Sequence, residues 1–148
     1  VRHMTSIVNT AVTAMVASLQ SGTPVAPLVA RVRLRPVAQA SALAVVVRPL
    51  NSQVTEAALA PGYPVSWTSA IAVECYARSG TTTAPDVAVD ALLEATYARL
   101  MADPSLGGAV LALQPQEVAY DFDADGDQTT CATLVFSVRH KTAGTTFS

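Results

Sequence analysis

The residue pattern predicts one α+β domain in the order α-β-β-β-α-β-β, with a mixed, mainly antiparallel sheet of about five strands and two helices packed on one face. Three observations carry this. Two stretches repeat apolar residues at three- and four-residue steps, five others alternate or run apolar as strands do, and Pro or Gly stands at most of the junctions.

The first helix runs from Thr5 to Ser21, where Ile7, Val8, Ala11, Val12, Met15, Val16 and Leu19 share a face and Gly22 ends it in a left-handed turn. Pro24 and Pro27 follow. Arg31, Arg33 and Arg35 then alternate with Val32 and Leu34, the period-two signature of a strand with one wet face, stopped by Pro36. A second strand, about Ala42 to Arg48, is apolar on both faces around Val45, Val46 and Val47, which predicts an inner position. Leu50 to Pro64 shows no sustained periodicity and is expected to be a long loop, the kind that often carries function. The third strand spans Val65 to Arg78, with Val65, Trp67, Ile71, Val73 and Cys75 on its core face.

After Thr81-Thr82-Thr83, Thr83 is expected to cap a second helix, with Asp86 completing a capping box. That helix continues to about Ala102 with a buried stripe of Val89, Leu92, Leu93, Thr96 and Leu100. Val110 to Tyr120 and Thr129 to Lys141 are predicted to pair as an antiparallel hairpin, and Pro115, lacking an N–H, belongs at an edge or bulge. Val1-Arg2-His3 ahead of Met4 has the look of an expression-tag remnant, 4–142 that of a single domain and 143–148 that of a loose tail.

Composition narrows the function. Of 148 residues, 51% are hydrophobic and 14% charged, so much of the exterior must be Ala, Val and Thr, which favours contact with identical neighbours. A net charge of -2 argues against affinity built on neutralising nucleic-acid phosphates. No apolar run approaches the roughly 20 residues of a membrane-spanning helix. Cys75 and Cys131 make no disulfide framework and are expected to be small core thiols in a reducing cytosol.

Candidate chemistry is sparse. Asp121, Asp123 and Asp125 before Gly126 match the first half of a calcium loop, but position twelve would be Ala132 where a bidentate Glu is needed. A solvated hairpin tip is therefore expected, with a divalent-ion site as the alternative. Cys131 and His140 lie nine residues apart on one strand, about 30 Å, and cannot share an ion. His140 itself is expected at the surface of a strand end. Asp86, Asp90 and Glu94 form an acidic helix face with no visible catalytic partner. No phosphate loop or nucleophile elbow is present, so neither an enzyme nor a cofactor is expected.

The row Arg31, Arg33, Arg35 is the strongest charge feature, because three guanidinium groups on one strand face repel unless acid lies opposite. It is an edge strand protected against aggregation, or an intersubunit contact in which the row meets Asp123, Asp125 and Asp127, or Asp86, Asp90 and Glu94, of the next copy.

From Met4 to about Thr142 the chain resembles the tail terminators (minor tail protein U) of long-tailed phages. The resemblance rests on the opening helix, on Leu43-Ala44-Val45-Val46-Val47-Arg48-Pro49, on the turn Asp103-Pro104-Ser105-Leu106-Gly107-Gly108, and on Leu134-Val135-Phe136-Ser137-Val138. It implies a non-enzymatic protein of the virion tail, assembled in the bacterial host cytoplasm. Such proteins close a ring, usually of six copies, on the tail tube protein, stop polymerisation and offer a surface to the head-completion or connector protein, while DNA only passes through. Two alternatives stand beside it: a head-tail connector of similar size, and a small cytosolic ligand-binding α+β oligomer.

Overall fold

The computed structural model describes residues 5–31, 43–56, 60–78, 84–122 and 129–148. In chain order the elements are α1 (Ile7–Gln20), β1 (Leu28–Arg31), β2 (Leu43–Glu56), β3 (Gly62–Arg78), α2 (Pro85–Met101), β4 (Ala112–Phe122) and β5 (Thr129–Gly144), the succession the sequence predicts. The strands form one sheet in the spatial order β1-β2-β3-β5-β4, parallel between β1 and β2 and antiparallel elsewhere.

Both helices lie on one face of this sheet. Ala11, Val12, Met15 and Leu19 of α1 and Val89, Leu92 and Leu100 of α2 pack with Val45, Val47, Ile71, Val73, Leu134 and Phe136 in one apolar cluster. Phe136 is fully buried there, and a side chain of that size contributes roughly 1.5–3 kcal/mol when removed from water. Arg99 of α2 ties the helices together: its guanidinium donates to the carbonyls of Ser18 (3.1 Å), Ser21 (2.7 Å) and Thr23 (2.9 Å) just where α1 ends. The Ser18 carbonyl also accepts the Ser21 amide at 3.4 Å, and the cation opposes the negative end of the helix dipole.

Three expectations need correction. The region Leu50 to Pro64 is not a long loop, because β2 runs on to Glu56 and β3 begins at Gly62. Register shifts between Pro49 and Asn51 and between Val54 and Glu56 break the alternation that would have revealed it. Helix α2 is capped at Ala84 rather than Thr83, with no side-chain hydrogen bond from Ala84, although Asp86 still sits in the first turn; Thr83 lies outside the described residues. The segment 143–148 is docked rather than loose. Strand β5 continues to Gly144, and the Ile7 amide at the start of α1 donates to the Phe147 carbonyl at 3.2 Å. Gly144 pairs with Gly62 so closely that any Cβ there would strike the Gly62–Tyr63 backbone.

The turn after α2 is built around one carboxylate. Asp103 accepts from the Ser105 hydroxyl at 2.8 Å and from the Gly107 amide at 2.7 Å. Leu106 takes a φ of 52° within it and Gly107 one of 70°. Burying Leu106 in the core offsets the strain of its backbone.

Candidate interaction surface

Strand β4 is an edge of the sheet, and every residue from Gln114 to Asp121 is exposed although the chain is pleated. A register shift between Pro115 and Glu117 puts the bulge where proline predicts it. On the helix side, Val118 and Tyr120 stand opposite Leu134 and Ala132, and α2 stops short of covering them. Leu93, Glu94 and Tyr97 of α2 face Pro115, Glu117 and Val118 across an open groove of about 440 Å³ floored by Leu134. Tyr97 stacks over Phe136 with ring centroids 6.4 Å apart, which fixes one wall. This rim is acidic, with Glu94 and Glu117 exposed, and β4 contains neither Lys nor Arg.

The opposite side of the sheet is different in kind. Arg31, in the four-residue strand β1, donates to Thr13 Oγ1 at 2.9 Å and to Asn9 Oδ1, so its guanidinium lies down on α1, held by neutral acceptors. Arg48 of β2 donates through Nε to Glu74 Oε1 at 2.6 Å, and the Tyr76 hydroxyl donates to Glu74 Oε2 at 2.6 Å. This trio crosses the sheet face away from the helices, beside a small buried cluster of Ala44, Val46, Tyr76 and Cys131. Farther along β2, Leu50 and Val54 are 41% and 50% exposed.

The sequence-predicted residues therefore separate. Arg31 and Asp121 sit on β1 and β4, the two opposite edges of one sheet, and cannot meet within a copy. Asp86, Asp90 and Glu94 are exposed along α2. Arg33, Arg35, Asp123, Asp125 and Asp127 lie outside the described residues, and with them the divalent-ion reading of the hairpin tip. Among the described residues, no three His, Cys, Asp or Glu side chains gather as metal ligands.

His140 is corrected outright. It is 2% exposed, its Nε2 is 2.7 Å from the Ser69 hydroxyl, and that hydroxyl is 2.6 Å from Ser52 Oγ. Burial lowers its pKa from 6.5. The edge of the Phe147 ring closes over both His140 and Trp67, at 6.0 Å and 5.0 Å between centroids. The signal was present: His140 continues the inward alternation of Ala132, Leu134, Phe136 and Val138. Cys75 and Cys131 are both buried, on opposite faces of the sheet, because Cys75 pairs with Ala132 while Cys131 pairs with Tyr76. Burial pushes the Cys75 thiol up to about 12 despite its contact with Thr96 Oγ1.

A one-sided α+β sheet with two unlike edges is the class of structure these features define. No family model and no curated protein matches the chain. Among solved structures it is similar to a chain of the virion of a native gene transfer agent particle, with a TM-score of 0.50 over 88% of this chain and 93% of that one. At 14% identity the likeness is one of fold.

Proposed function

We propose that this chain is a non-enzymatic structural subunit of a phage or phage-like particle, and within that class a tail terminator. The observation that carries the proposal is the shared fold, over nearly the full length of both chains, with a component of a gene transfer agent virion. The asymmetry of the sheet supports the finer reading. A ring of identical copies is a head-to-tail assembly whose rotation closes, so each copy must present two different and complementary sides. Here one edge of the sheet, β4, exposes Glu117 and Asp121, and the other, β1, carries Arg31. The terminator closes such a ring, of six copies, on the tail tube protein, ends its growth, and presents the far face to a head-completion protein while DNA passes through the hole.

Sedimentation velocity on the purified protein, followed by electron microscopy, tests this. A closed ring that binds one end of tail tubes is the expected result. A protein that stays single at high concentration, with or without tubes, overturns the terminator reading, and a ring that binds only the portal end of heads replaces it with a connector.

A further inference from the structure

Resting on that ring reading, we propose that neighbouring copies join where the groove between α2 and β4 of one copy receives the Leu111, Arg139 and Lys141 corner of the next. The groove has apolar walls and an acidic mouth. Leu93 and Tyr97 of α2 face Pro115 and Val118 of β4 above Leu134, and Glu94 and Glu117 stand at the rim. Tyr97 is 36% exposed and Val118 40%, so apolar area is left to water here. An occupant that fits must bring an apolar side chain with cations beside it.

This chain carries that combination itself. Leu111 is the most exposed large apolar side chain among the described residues, at 65%, and its amide donates to the Arg139 carbonyl at 3.1 Å. With Arg139, Lys141 and Ser66 it borders a shallow depression of about 490 Å³ at the end of the sheet. Both cations are exposed, and among the described residues neither has a hydrogen-bond or ion-pair partner for its charge. Arg31, Arg48 and Arg99 differ, being held by Asn9 and Thr13, by Glu74, and by the carbonyls that end α1. Glu56 is the one acid bordering the depression and forms no ion pair with either cation, so the corner keeps net positive charge against the two acids of the groove.

The contact is head-to-tail. Arg139 and Lys141 alternate with Val138 and His140, which are buried on the helix side, so the cations project from the opposite face of the sheet. The groove opens on the helix side. A copy cannot fill its own groove, because Leu111 precedes Pro115 by four residues of nearly extended chain, roughly 13 Å. Every added copy then leaves one groove and one corner unfilled, which is the condition for repetition until a ring closes. Leu111 and the aliphatic stems of the two cations cover Tyr97, Pro115 and Val118, and their charged heads meet Glu94 and Glu117. The occupant of the groove is thus a second copy of this chain.

Charge reversal tests the pairing: Glu94→Lys with Glu117→Lys in the groove, and Arg139→Glu with Lys141→Glu at the corner, with Leu111→Asp as a second corner variant. All five side chains are exposed, and circular dichroism and melting check that each variant keeps the fold. Each alone is expected to weaken association by more than about tenfold in sedimentation velocity, because like charges then face each other. Mixed in equal amounts, the two reversed variants are expected to rebuild the ring with copies alternating, since every groove again meets a corner of opposite charge. A ring persisting undiminished in either reversed variant, or a mixture that stays single, overturns this contact while leaving the ring of the wild-type protein standing. A wild-type protein that forms no ring removes the parent reading and this contact with it.

Discussion

Nε2 of His140 lies 2.7 Å from the Ser69 hydroxyl, on the helix side of the sheet where β3 and β5 are paired. Its other ring nitrogen, Nδ1, is buried without a hydrogen-bond partner. Burial is what holds the imidazole pKa below 6.5 in the fold. The unfolded chain therefore binds more protons than the folded one between the two values, and stability rises with pH across that window. On acidification below about 6.5 the protein is expected to lose stability as His140 is forced to charge. His140→Phe removes the titration and leaves Ser69 bonded to Ser52. Thermal melts from pH 8 to pH 5 should show a flatter dependence in the variant than in the wild type, and parallel curves would refute this role for His140.

The two thiols provide a test of the sheet. Since Cys75 faces the helices and Cys131 the opposite side, mild oxidation should produce no internal bridge between them. Burial also keeps Cys75 protonated, at about 12, so its thiolate is scarce near neutrality. Iodoacetamide at pH 8 is expected to spare Cys75 in the folded protein and to modify both cysteines in denaturant. Mass spectrometry of the digests reads this directly, and rapid native labelling of Cys75 would contradict its burial.

Arg99 is the long-range contact with the most to lose. Replacing it by Met keeps the stem and removes the donors to Ser18, Ser21 and Thr23. A loss of about 1.5–3 kcal/mol is expected, the range for a hydrogen bond from a charged group. Arg99→Lys should recover only part, because a single ammonium cannot span three carbonyls as a guanidinium fork does. Urea unfolding with an unchanged slope measures the cost; a midpoint equal to wild type would show that water replaces the bonds.

Element order and the placement of both helices were legible because periods of 3.6 and 2 survive in the residues themselves, as in Met15 and Leu19 or Leu134 and Phe136. What was not legible arises where chain geometry departs from those periods or depends on distant pairing. Two bulges hid the distal half of β2, and Pro49 appeared to end the strand. Arg31 looked solvated, but single-strand alternation does not say which face meets a helix, and its long side chain reaches Asn9 and Thr13. Of the candidate surface, the exposed acids of α2 could be read. The groove they border could not, since Tyr97 and Val118 become neighbours only when β4 pairs with β5 beneath α2. For His140 the polarity of the side chain points to the surface, whereas its place in the alternation with Phe136 and Val138 points inward, and the fold follows the alternation.

The Asp103 turn yields a pair of variants, one with a pH-dependent deficit and one without. The Ser105 hydroxyl, and then the Gly107 amide, hold its carboxyl below the ordinary 3.8 by bonding to the charged form. With the folded pKa depressed, the unfolded chain binds more protons near that value, so the contribution is present above it and disappears as pH falls through the folded pKa. Asp103→Asn should lower the melting temperature near neutrality and converge on the wild type in acid. Gly107→Ala acts by another route: its φ of 70° is costly for any residue with a Cβ, although no atom crowds the site. A loss of about 1 kcal/mol is expected, and it should not vary with pH. Melting curves of both variants from pH 7 to pH 2.5 separate the two mechanisms. If the Asp103→Asn deficit persists undiminished at the acid end, the carboxylate's charge is not what holds the turn.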